Sequence, residues 1–90
     1  MDFIHKEGTI YAEDSNGTVI AEVTFPAESE HIIRIDHTFV DHSLRGQGVA
    51  GKLIEQVVDY ATKSNKKIKP VCSYAVQWFK MHPESASLLA

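Results

Sequence analysis

The stretch Arg45-Gly46-Gln47-Gly48-Val49-Ala50-Gly51 constrains this chain more than any other. It lies between a β-rich run ending near Val40 and an amphipathic helical pattern running on to Ala61. Three glycines within six positions (Gly46, Gly48 and Gly51) let the backbone approach another group closely and leave amides unshielded. The helix behind them adds its free first N–H groups and the positive end of its dipole. Such a place suits an anion, most often a phosphate or pyrophosphate. Arg45 at its mouth supplies a fixed charge and a fork of donors.

Gly46 to Gly51 also spells the dinucleotide fingerprint G-x-G-x-x-G. That motif needs an acidic residue at the end of the next strand, about 20 residues on. The next β-rich run, Ile68–Cys72, has no acid, and the Walker lysine is missing too. An NAD- or ATP-dependent reading therefore lacks its partner residues. The alternative without a ligand is a glycine turn that only packs tightly.

Hydrophobic periodicity predicts the rest of the fold. Thr9–Glu13 and Thr18–Phe25 read as strands joined at Asn16-Gly17, two residues that tolerate positive φ. Val19, Ala21, Val23 and Phe25 share one face of the second strand. Pro26–Glu30 is a polar loop. Ile32–Val40 reads as one third strand, with Ile33, Ile35, His37 and Phe39 on one face. A helix follows from Gln47 or Gly48 to Ser64. It buries Val49, Leu53, Ile54, Val57, Val58 and either Tyr60 or Ala61, with Asn65 at its C-terminal cap. Ile68–Cys72 is a fourth strand, parallel to the third because a helix connects them. Ser73 caps a second helix over Tyr74–His82, which buries Val76, Trp78, Phe79 and Met81 and ends at Pro83. The tail Glu84–Ala90 is expected to fray. The fold class is α+β (mixed α/β): an antiparallel meander, a strand–loop–helix–strand crossover and a C-terminal helix. One domain over residues 1–90 is expected, with an ordered core from about residue 3 to 84.

Composition excludes some function classes. Net charge is −3 and the isoelectric point about 5.9, without the basic face of a nucleic-acid binder. No apolar run reaches the roughly 20 residues of a membrane span, and the first residues lack the apolar stretch of a secretory signal. One cysteine makes no internal disulfide, so a cytoplasmic setting is expected. The histidines at 5, 31, 37, 42 and 82 have no zinc-like spacing, and no metal is expected.

Val40-x-His42-x-x-Arg45-Gly46-x-Gly48-x-Ala50, with the apolar helix behind it, resembles the acetyl-CoA motif of the GCN5-related N-acetyltransferases. That motif reads R/Q-x-x-G-x-G/A, met here by Arg45, Gly48 and Ala50. The resemblance continues through Pro70-Val71-Cys72-Ser73-Tyr74 and Trp78-Phe79-x-x-His82-Pro83-Glu84, stretches similar to a small single-domain branch of the family. It covers roughly Thr9 to Glu84. His42 departs from the proline of many larger members. The resemblance implies that the third and fourth strands splay apart to admit acetyl-CoA. Phe39 and Val40 would then bond the pantetheine arm, and Arg45, Gly46, Gln47, Gly48, Val49 and Ala50 would hold the pyrophosphate. No metal is implied.

Cys72 and Tyr74 are the candidate catalytic residues. Beside a helix N-terminus, the Cys72 thiol is favoured as a nucleophile. The resemblance brings it near the thioester, as a covalent relay or as an aid to the thioester. Tyr74 would return a proton to the departing CoA thiolate, a role tyrosines take in many members. The plainer readings are an inert half-buried cysteine and a tyrosine packed on the first helix. His37, Asp36 and Glu22 are candidates to accept the amine's proton. Lys63, Lys66, Lys67 and Lys69, with Lys52, are candidates to meet the 3′-phosphate of CoA, against the plainer reading of a solvated helix end. The expected activity is acetyl transfer from acetyl-CoA to an amine, such as a protein or peptide lysine. The alternative is a CoA-binding module without catalysis. Larger members spend extra residues on walls around the amine, so the site here is either open or completed by a second copy. The chain is expected to be a monomer or a weak homodimer.

Overall fold

A computed structural model describes all residues, 1–90. Seven strands and two α-helices follow one another: β1 (Ile4–Lys6), β2 (Thr9–Glu13), β3 (Val19–Thr24), β4 (Ala27–Ser29), β5 (Ile32–Ile35), β6 (His37–Val40), α1 (Val49–Lys63), β7 (Lys67–Pro70) and α2 (Ser73–Met81). Short 3-10 helices cover His42–Leu44 and Pro83–Leu88. The mixed α+β class agrees with the sequence reading.

The strands form two sheets, β1-β2-β3-β6 and β4-β5-β7. Every pairing is antiparallel except β5 with β7, whose parallel register runs from Ile32 opposite Lys67 to Ile35 opposite Pro70. The helical crossover through α1 accounts for that direction. Thr9 to Glu13 and Val19 to Thr24 are strands as expected. Asp14 organises their turn by accepting from the Asn16 and Thr18 amides at 2.9 and 3.0 Å. Gly17 takes positive φ there and Asn16 does not.

The expected third strand is two strands. Between the pairs Ala27–Ile33 and Thr24–His37, Arg34, Ile35 and Asp36 face only Phe25 and Pro26. Pro26 has no N–H to give a ladder, so one extra residue is absorbed as a bulge and the facing parity changes. Ile33 and Ile35 are buried. Thr38 and Val40 share the face of buried Ala21 and Val23, while His37 and Phe39 are exposed. This corrects the single face assigned to Ile33, Ile35, His37 and Phe39. Val19 is likewise exposed, at the Ala12/Glu13 irregularity.

The core lies between the sheets and α1. Ile10, Val23, Ile35, Leu53, Ile54, Val57 and Ile68 are the largest fully buried side chains. α1 buries Val49, Leu53, Ile54, Val57 and Ala61 at helical spacing, and Tyr60 stays partly exposed against Phe25. Asn65 takes the left-handed conformation just past the Ser64 cap. In α2, Ala75, Trp78 and Phe79 are buried, whereas Met81 is 67% exposed, contrary to expectation. The tail is tied down as well. Leu88 packs on the core, Leu89 bridges Ile68 in parallel, and the Ala90 amide donates to the Ile68 carbonyl at 2.9 Å. An edge strand left open by β7 explains this order. No helix is long and apolar enough to cross a membrane.

Candidate functional site

The glycine stretch turns the chain from β6 into α1. Asp41 starts the turn by accepting from the Ser43 hydroxyl at 2.6 Å and the Ser43 amide at 3.0 Å. These two bonds, the hydroxyl's first, hold the Asp41 carboxyl below its ordinary value. Gly46 and Gly48 then adopt positive φ of 84° and 73°, a region that costs other residues free energy. Gly48 is the N-cap, which is why α1 starts at Val49 and not at Gln47.

The helix N-terminus is bare. Gly48 offers no side-chain cap, and the first turn has no acidic residue. The Lys52 amide, 3.1 Å from the Gly48 carbonyl, begins the helical ladder. The amides of Val49, Ala50 and Gly51 precede it and have no intrahelical partner. Arg45 is exposed and forms no ion pair. These residues fit an anion and leave room for one. A cleft of about 340 Å³ opens there, lined by Val40, Leu44, Arg45, Gly46, Gly48, Val49, Ala50 and Tyr74. A larger hollow of about 650 Å³ lies by Tyr60 and Lys66, at the opposite end of α1 from the bare amides. The smaller cleft carries the donors and the fixed charge.

The second part of the site is the gap between β6 and the chain after β7. Pro70 closes the β5–β7 ladder opposite Ile35. The Val71 and Cys72 amides both donate to the Ile35 carbonyl, at 2.9 and 3.1 Å, and α2 then leads the chain away. β6 is left with a partner only on its β3 side. The Asp41 amide donates to Ile20 at 2.7 Å, so by antiparallel alternation Phe39 bonds Glu22 while the Thr38 and Val40 backbone groups face the open gap.

Cys72 does not end the strand. It is the N-cap of α2, the place expected for Ser73, and its Sγ accepts from the Ala75 amide at 3.4 Å. Across the gap, Thr38 Oγ1 lies 3.1 Å from Sγ. Tyr74, in the first turn of α2, lines the cleft. Its hydroxyl lies 3.6 Å from where a Cβ on Gly51 would stand. Burial, then the Glu55 charge, raise its pKa above 10.0, so the phenol keeps its proton at neutral pH.

The structure thus gathers Val40, Arg45, Gly46, Gly48, Val49, Ala50 and Tyr74 around one cleft, and sets Cys72 beside Thr38 at the foot of the gap. Gln47 is exposed outside the lining, and the Phe39 side chain points to the other face of the sheet. Glu22 and His37 share that face, where the Thr24 hydroxyl bonds the Asp36 carboxylate. Lys63, Lys66, Lys67 and Lys69 do not serve the loop. They lie at the far end of α1, which spans about 22 Å at 1.5 Å per residue. They engage Asp59, Glu30, Ser87 and Glu28 respectively. Thr38 and Leu44 escaped the sequence reading, because Thr38 meets Cys72 only through tertiary pairing. No three His, Cys, Asp or Glu side chains gather as a metal site.

The GCN5-related N-acetyltransferase family model matches residues 9–88. No curated protein matches the chain. Among solved structures, a GCN5-like protein from Staphylococcus aureus is 31% identical, with a TM-score of 0.83 over 99% of this chain and 87% of its own. A GNAT family N-acetyltransferase from Escherichia coli, solved in complex with CoA, is 24% identical. Its TM-score is 0.63, over 77% of this chain and 42% of its own. Ard1 from Thermoplasma volcanium is 18% identical with a TM-score of 0.65, over 83% of this chain and 53% of its own. The latter two share the fold, and this chain spans about half their length or less. With the family motif laid on a bare helix N-terminus and the match running through nearly the whole sequence, the chain belongs to the GCN5-related N-acetyltransferase family.

Proposed function

We propose that this chain is an acetyl-CoA-dependent N-acetyltransferase that passes the acetyl group to an amine by way of Cys72. The observation that carries the reading is the uncapped start of α1, with free amides, two positive-φ glycines and an unpaired Arg45 at one cleft. It suits the pyrophosphate of CoA. The Thr38 and Val40 backbone groups at the open edge of β6 suit the amide-rich pantetheine arm, and the arm leads the thioester toward Cys72. The E. coli relative's bound CoA supports that cosubstrate.

Cys72 Sγ attacks the thioester carbonyl carbon. A carbon–sulfur bond forms to Cys72 and the bond to the CoA sulfur breaks. The Tyr74 hydroxyl donates its proton to that sulfur and takes up the one Cys72 releases. The amine then attacks the same carbon, the bond to Sγ breaks, and Sγ leaves with the amine's proton. Positioning and donor groups in the gap supply the acceleration. The edge of β6 that borders the gap pairs with no strand, which suits an acceptor as large as a peptide lysine. A cytoplasmic, monomeric or weakly dimeric enzyme is consistent with this reading.

The same cleft in a CoA-binding module without catalysis predicts binding but no adduct. The test is to incubate the protein with acetyl-CoA and map adducts by mass spectrometry. Acetylation at Cys72, discharged by added amine, supports transfer through Cys72. Binding with no adduct and no turnover favours the module. Turnover at the wild-type rate by Cys72→Ala leaves direct attack by the amine.

A further inference from the structure

We infer that Thr38 is a positioning residue for acyl transfer, its hydroxyl donating to Cys72 Sγ and aiming that sulfur into the gap; this rests on the relay reading above. The Cys72 Sγ already accepts from the Ala75 amide at 3.4 Å, as the N-cap of α2. Thr38 Oγ1 approaches it at 3.1 Å from the opposite strand, and no other side chain bonds that oxygen. With Thr38 as the donor, a sulfur that accepts from the helix on one side and from β6 on the other has its remaining direction fixed. The β-branched Thr38 side chain is stiff at χ1, and β3 holds its strand in register. The hydroxyl is therefore fixed by backbone the bulge at Asp36 has already set. Without that bulge, Thr38 would face away from α1 and Cys72.

The donor matters as the bonds change. When Cys72 gives up its proton before the attack, and again when Sγ departs from the acyl carbon, charge collects on sulfur, and a donor already in place stabilises it without rearrangement. No oxidant or further reactant is needed, because Thr38 neither gains nor loses a proton overall.

The experiment is single-turnover acetylation of Cys72 by acetyl-CoA, followed by quenched mass spectrometry, in wild type, Thr38→Val, Thr38→Ser and Cys72→Ala. Valine keeps the shape and strand propensity of threonine but has no donor; serine keeps the donor. We expect Thr38→Val to acetylate about tenfold more slowly, the scale of one hydrogen bond, with the loss in kcat and not in KM for acetyl-CoA. Thr38→Ser restores most of the rate. Thr38→Val acetylating at the wild-type rate, with Cys72→Ala inactive, overturns the role of Thr38 and leaves the relay standing. Equal loss in Thr38→Val and Thr38→Ser overturns it too, since packing and not the hydroxyl would then be at work. No acetyl-Cys72 in wild type, together with full turnover by Cys72→Ala, overturns the relay and the inference with it.

Discussion

Thr38 Oγ1 and Cys72 Sγ stand 3.1 Å apart although 34 residues separate them in the chain. The contact spans the gap between β6 and the start of α2, and it joins the two halves of the site. In the proposed function one half, from Thr38 to Gly51, would bind acetyl-CoA, and the other, from Cys72 to Tyr74, would carry the reactive groups.

Cys72→Ser separates stability from chemistry. Serine is a stronger N-cap acceptor than cysteine, so the variant should melt at or slightly above the wild-type temperature. Alanine removes the cap and should cost about 0.5–1 kcal/mol. Thermal unfolding checks this. If both variants fold and serine still transfers acetyl at the wild-type rate, Cys72 acts only as a cap.

The glycines of the loop should separate into two classes. Gly46 and Gly48 have positive φ and open space around them. Alanine there should cost about 1 kcal/mol of backbone strain and weaken CoA binding. Gly51 is helical, and its new Cβ would sit 3.6 Å from the Tyr74 hydroxyl, an ordinary contact. Gly51→Ala should raise stability by about 0.5–1 kcal/mol. Denaturant titration of the three variants checks the split, and a destabilised Gly51→Ala would contradict it.

Tyr74 sets an alkaline limit. Burial, then Glu55, favour its neutral form in the fold. Its folded pKa lies above the unfolded value, so the folded state holds its proton more tightly, and stability falls as pH rises past 10.0. Ultraviolet titration of the phenol should show a midpoint above the ordinary one, and Glu55→Gln should lower it in part. Tyr74→Phe should fold normally and release CoA more slowly during turnover.

Asp41 gives the acid counterpart. Its carboxyl is held low by Ser43, so its contribution is present above the ordinary 3.8 and lost as pH falls through the depressed value. Carbon-detected titration should show Asp41 below 3.8, and Ser43→Ala should bring it back up.

What could be read from the sequence was whatever local pattern decides. α1 was visible because one broad face is buried, so Val49, Leu53, Ile54, Val57 and Ala61 recur at helical spacing. The glycine loop is legible because positive φ selects glycine at 46 and 48. The break at Asp36 was hidden. Ile33, Ile35, His37 and Phe39 alternate without interruption, and only the pairing with Pro26 shows that an extra residue resets the faces. Thr38 was missed for the same reason. β1 and β4 are three residues each, too short for a period to show. The order of the tail is not legible in the sequence because its anchor, the free edge of β7 at Ile68, is not next to it in the chain.

The central claim is that acetyl-CoA binds between the bare start of α1 and the open edge of β6. Backbone amide shifts of isotope-labelled protein titrated with acetyl-CoA test it most directly, with NAD and ATP as controls. The account predicts saturable shifts at Val40 and from Gly46 to Gly51, extending to Thr38 and Cys72, and weaker responses to the controls. Amides at that loop unmoved by acetyl-CoA would contradict it, and the glycines would then serve only the turn into α1.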